Sequence, residues 1–136
     1  MPGASAVSLE RGSAAMELLA AVLIWLACHF IGDFAFQSEW MSINKGKSWE
    51  INIYHAATYT AVFVLFARAT PAAIAIIFLT HCIIDPLKTR YQIIKPIWVD
   101  QALHFIVIFA LLALQFAFPS SIFGLHAALP GLLFTR

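Results

Sequence analysis

The sequence predicts an all-α, polytopic membrane protein: a four-helix transmembrane bundle of two hairpins with a short C-terminal interfacial segment. Three observations lead there. Of the 136 residues, 62% are hydrophobic and 11% are charged, whereas soluble chains carry roughly a quarter charged residues. A soluble protein this short exposes too much of its surface to hide so much apolar area. The apolar residues also gather in four runs, each near the ~20 residues that a bilayer crossing needs, and the connections between runs mix lysine with tryptophan as membrane interfaces do.

Taken in order, residues 1–15 (MPGASAVSLERGSAA) are small and polar and read as a flexible N-terminal tail, with Met16 an alternative start. The transmembrane domain is 16–118. Its first span runs from about Ala14 to Gln37 and turns polar on one face in its later half. Ser38 to Glu50 (SEWMSINKGKSWE) reads as a loop. A second span extends from about Ile51 to Arg68, and Ala69-Thr70-Pro71 turns the chain into a third that starts at Ala72 and ends at Asp85 or Lys88. Pro86 ends or kinks that helix, because a proline ring clashes with the carbonyl four residues back and removes its donor, leaving the Cys82 carbonyl free. Thr89 to Trp98 (TRYQIIKPIW) is a second basic, aromatic loop, and Val99 to Phe118 is the fourth span, stopped by Pro119. Residues 119–136, broken by Gly124, Pro130 and Gly131, are too short to cross and are expected to lie along the interface.

Charge narrows the function classes. The net charge of +1 leaves no basic stripe for nucleic acid. Cys28 and Cys82 lie in apolar runs, where a thiol behaves as a small hydrophobe. Lys45, Lys47, Lys88, Arg90 and Lys95 fall in the first and third connections, against Arg11, Arg68 and Arg136 on the other side. The positive-inside rule then puts both long loops in the cytoplasm and the termini outside. Lys45, Lys47, Arg90 and Lys95 are read as topology determinants, and Trp40, Trp49 and Trp98 as interfacial anchors.

The chemistry is concentrated in histidine and aspartate. Each of the three aspartates has a histidine four residues away: His29-x-x-x-Asp33, His81-x-x-x-Asp85 and Asp100-x-x-x-His104. Positions i and i+4 share a helix face one turn apart, the spacing at which two side chains can ligate one ion. Chance would supply roughly 0.2 such pairs. These residues and His55 also fall at the loop-facing ends of their spans, so alternating spans place them in one half of the bilayer, where ionisable groups pair and mark function. Neutral imidazoles with three carboxylates would repel unless cations compensate, and a divalent metal is the simplest compensator. Nitrogen and oxygen donors suit zinc, manganese or iron, as one ion or as two.

The expected ligands are therefore His29, Asp33, His55, His81, Asp85, Asp100 and His104. Asp33, Asp85 and Asp100 are the catalytic carboxylates, with Asp100 as ligand or general base. Gln37 and Gln101 are expected to orient ligands by hydrogen bond, and Lys88 to meet an anionic substrate or to snorkel. Thr58 and Tyr59, near His55, read as packing and hydrogen-bonding groups. The first hairpin, His29-x-x-x-Asp33 followed 22 residues later by His55, parallels the second, His81-x-x-x-Asp85 followed 19 residues later by His104. That pattern suggests a parallel repeat.

Together, His29-Phe-Ile-Gly-Asp33-Phe-Ala-Phe-Gln37, Asn44-Lys45, His55, His81-x-x-x-Asp85-x-x-Lys88 and Asp100-Gln101-x-x-His104 resemble the DUF3307 family of small bacterial and phage membrane proteins, over about Met16 to Leu114. More distantly, histidine and aspartate pairs on membrane helices resemble the YdjM-like membrane-bound metal-dependent hydrolases. These resemblances imply a multi-pass protein of the bacterial inner membrane with metal-dependent hydrolysis as its chemistry; the two-ion ligand set makes a phosphate-bearing or lipid substrate the expected one. A metal or proton transporter is the alternative; it needs a polar path to the far side, and Leu18 to Leu26, Ala61 to Leu65, Ile74 to Phe78 and Phe105 to Leu114 offer almost none. A non-catalytic partner subunit, a packing network of hydrogen bonds and haem ligation are further alternatives. Membrane lipids, a second copy or another membrane protein are the expected partners. His126, alone in the tail, is assigned no role.

Overall fold

The computed structural model describes residues 4–118, and among them the chain is all helix and connection, without a strand. Helix α1 (Ala4–Phe30) runs into a π-helical turn (Ile31–Ala35), followed by α2 (Glu39–Asn44), α3 (Trp49–Phe66), α4 (Pro71–Thr89) and α5 (Ile97–Ala117). Helix starts follow side-chain chemistry. Ser38 caps α2 by accepting from the Met41 amide, Ser48 caps α3 from Glu50, and Thr70 caps α4 from Ala73, with Pro71 in the first turn where it gives up no bond.

Several expectations change. Helix α1 is helical from Ala4, inside the segment expected as a loose tail, and the Ser38 to Glu50 loop contains α2. Helix α4 continues through Pro86 to Thr89. The Cys82 carbonyl that Pro86 deprives of its donor accepts a hydrogen bond from Asn52 Nδ2 at 3.2 Å, so α3 supplies the missing partner. Three segments are long and apolar enough to cross a membrane: Arg11–Ala35, Pro71–Thr89 and Ile97–Ala117. Helix α3, expected as the second span, does not reach that standard, because Glu50, Asn52 and His55 make its first turns polar. The interfacial segment expected at 119–136, with His126, lies outside the described residues.

Helix α1 packs on α3 and α5, and α4 packs on the same two helices. At one end they enclose an apolar core of Trp25, Val62, Phe63, Ile77, Ile108 and Leu112, with Trp25 edge-on to Phe63 at 5.6 Å between centroids. Burial then runs opposite to that of a water-soluble protein. Leu23, Leu65, Leu79 and Ile106 are each more than half exposed, whereas His29, His55 and His81 are fully buried. Such a surface is matched to lipid, and the ionisable groups face one another inside.

Candidate metal centre

The polar end of the bundle is built from four helical elements. The π turn is closed by Phe36 N–H donating to the Ile31 carbonyl at 2.9 Å, an i→i+5 bond of a kind often found at functional sites. It lies directly on α3: a Cβ on Gly32 would come within 2.9 Å of Tyr59 Cδ2 and 3.0 Å of the Tyr59 backbone. That close approach, open only to glycine, carries Asp33 against α3. Helix α3 contributes His55 and Tyr59, α4 contributes His81 and Asp85, and α5 contributes Asp100, Gln101 and His104.

Two groups of potential ligands result. One ligand atom each from Asp33, His55, His81 and Asp85 lies within 4.8 Å of the others, and Asp85, Asp100 and His104 form a second group by the same measure. Asp85 belongs to both. In the first group, His55 Nε2 is 3.3 Å from Asp33 Oδ1 and 3.2 Å from Asp85 Oδ2. His81 Nε2 is 3.6 Å from Asp85 Oδ2 and 3.9 Å from Asp33 Oδ1. In the second, His104 Nε2 is 3.9 Å from Asp100 Oδ1.

The atoms left over are informative. Among the described residues, both ring nitrogens of His81, His104 Nε2, His55 Nδ1 and Asp100 Oδ1 are buried without a hydrogen-bond partner. Buried polar atoms are normally satisfied, so a concentration of orphans leaves donors and lone pairs that water or an ion can satisfy. Two imidazoles and two carboxylates converging from three elements suit zinc, manganese or iron. The residues present therefore fit a divalent ion.

Two lysines change the charge balance read from the sequence. Lys45 was expected only to set topology, yet it is buried, with Nζ in an ion pair with Asp85 Oδ2 at 2.7 Å and 3.1 Å from His55 Nε2. Lys88, expected to meet substrate or snorkel, pairs with Asp100 Oδ2 at 2.8 Å. Two of the three carboxylate charges thus have protein counter-ions, and metal is not the sole compensator. The presence of Asn44-Lys45 in the family-like motif is the one sequence signal pointing to Lys45.

His29 differs from the other expected ligands. Its Nδ1 is 3.0 Å from the Tyr59 hydroxyl and its Nε2 is 2.8 Å from Gln101 Oε1. Gln101 Nε2 donates to Asp33 Oδ2 at 3.1 Å and, more weakly, to Asp100 Oδ2 at 3.4 Å. A carboxylate can only accept, so the Gln101 amide must aim its NH₂ at Asp33 and its oxygen at His29. His29 then donates from Nε2, and its Nδ1 accepts from Tyr59. Both ring nitrogens are committed, and His29 stands outside the two converging groups. Gln101 thus bridges His29 and Asp33 by hydrogen bonds. Gln37 Oε1 is buried without a hydrogen-bond partner among the described residues, and Gln37 makes none of the hydrogen bonds within the cluster.

The family model described as "Protein of unknown function (DUF3307)" matches residues 20–128. The chain belongs to that family, and the match covers every residue of both ligand groups. Neither a curated protein nor a solved structure matches it.

Proposed function

We propose that this DUF3307 chain is a membrane-embedded metal protein whose activity is hydrolysis of a phosphate-bearing or lipid substrate near the cytoplasmic face of a bacterial inner membrane. The observation that carries the metal reading is the convergence of Asp33, His55, His81 and Asp85, all buried, within 4.8 Å. Asp33, His55, His81 and Asp85 hold the first ion, and Asp100 and His104 share Asp85 with a second position. A divalent ion there would supply Lewis acidity and activate water. Asp100, whose Oδ2 holds Lys88 and whose Oδ1 has no hydrogen-bond partner among the described residues, serves as ligand or as general base. A one-sided reaction site is favoured over transport by the opposite end of the bundle. There Gln115 is a buried amide without a partner among the described residues, about 16 Å along α5 from His104. Buried Ile108, Leu111 and Leu112 lie between the two in sequence, so one amide does not make a path.

Protein purified in detergent without chelator is expected to carry about one to two equivalents of a divalent transition metal per chain. Mass spectrometry of the elements finding less than about a tenth of an equivalent, with no thermal stabilisation by added zinc, manganese or iron, would refute it.

A further inference from the structure

We infer that Lys45 is an internal counter-cation that occupies the four-ligand position and is displaced from it by metal, so that access to the centre is set by a lysine–metal exchange. This rests on the metal reading above and goes beyond it. The Lys45 ammonium lies 2.7 Å from Asp85 Oδ2 and 3.1 Å from His55 Nε2, and both atoms belong to residues of the four-ligand group. A transition-metal ion sits about 2.0–2.2 Å from nitrogen and oxygen ligands. An ion held by those two atoms would therefore overlap the ammonium, or face it at a separation where two cations repel strongly. One must leave.

The second group provides the contrast. Lys88 pairs with Asp100 Oδ2 and leaves Asp100 Oδ1, like His104 Nε2, without a partner. An ion on Oδ1 and the imidazole need not displace Lys88. The two positions are unequal: Asp100 Oδ1 and His104 Nε2 have lone pairs ready although the Asp85 of their group is paired with Lys45, whereas the four-ligand position is held by Lys45 at both Asp85 Oδ2 and His55 Nε2.

The backbone around Lys45 defines how the exchange occurs. A Cβ on Gly46 would lie 2.6 Å from the Thr89 carbonyl oxygen, so the chain at 45–46 is seated on the end of α4. The ammonium leaves by rotation of its own four-carbon stem, which is flexible, while the loop stays. Lys45 also keeps Asp85 compensated until an ion arrives. It thereby favours ions that bind this nitrogen and oxygen set tightly enough to replace an ion pair. Weak binders of imidazole such as magnesium and calcium are excluded.

The test compares wild type with Lys45→Leu in detergent, using zinc as the probe after chelator stripping. If Lys45 is withdrawn in about a tenth of molecules or fewer, apparent zinc affinity rises about tenfold or more on removing it. In wild type, amine-reactive labelling read by mass spectrometry should find Lys45 protected in stripped protein and labelled in zinc, with Lys47 unchanged. This second measurement decides the matter even if Lys45→Leu fails to fold. Equal or weaker zinc affinity in Lys45→Leu, or Lys45 still protected in zinc-loaded wild type, overturns the exchange and leaves the metal reading intact. Zinc bound by neither protein, with labelling unchanged, overturns both.

Discussion

The pairs His29-x-x-x-Asp33 and His81-x-x-x-Asp85 have the same spacing and the same burial, yet their histidines meet opposite fates. Both ring nitrogens of His29 are taken, by the Tyr59 hydroxyl at 3.0 Å and by Gln101 at 2.8 Å. Neither nitrogen of His81 has a hydrogen-bond partner among the described residues. Tyr59 accounts for part of the difference in each. Its hydroxyl reaches His29, while its ring stacks on His81 at 3.9 Å and 17°, contact that positions the imidazole without using its nitrogens. The comparison teaches that one helical spacing can deliver an orienting histidine or an available one, depending on what the neighbouring helices present.

The most severe way to break this comparison is to remove each histidine in turn. His81→Ala is expected to weaken metal binding by about a hundredfold or more, since losing even an orienting partner of a ligand costs 10–100-fold. His29→Ala should keep the metal and lose only stability. Metal titration of both variants decides it, and equal loss in the two would erase the distinction. Next in size, Gln101→Leu should lower metal affinity by about 10–100-fold, because Asp33 loses the amide that orients it. Unchanged zinc affinity in that variant would show that Gln101 does not act through Asp33. The smallest effect is expected from Tyr59→Phe, which keeps the ring on His81 and removes only the hydroxyl. Thermal or denaturant unfolding should show a loss of about 1–3 kcal/mol from the unpaired His29 nitrogen, with zinc affinity unchanged. A drop in zinc affinity would place Tyr59 among the groups controlling the ion.

What could be read from the sequence differs by residue. Pro86 announced a free Cys82 carbonyl, because the steric rule is local; Asn52, which satisfies it, is thirty residues away and no local rule points to it. Lys45 read as a topology lysine because loop lysines near spans serve that end, and apart from the Asn44-Lys45 motif no charge or spacing rule marks it as the one that folds back. Helix α3 was expected to span as one of four apolar runs; of the residues that make its first turns polar, His55 enters the site and Asn52 satisfies the Cys82 carbonyl.

By itself the sequence determined that the chain is helical and matched to lipid. It also determined that its histidines and aspartates lie one turn apart at the loop-facing ends of the helices, since hydropathy and i to i+4 spacing are properties of contiguous residues. Only the tertiary structure decided which imidazoles keep free nitrogens, that Asp85 is common to both ligand groups, and that Lys45 and Lys88 supply the counter-charges. The reason is geometric: spacing fixes which side chains share a face, whereas satisfaction of a buried donor or acceptor depends on atoms that only helix packing brings within about 3 Å.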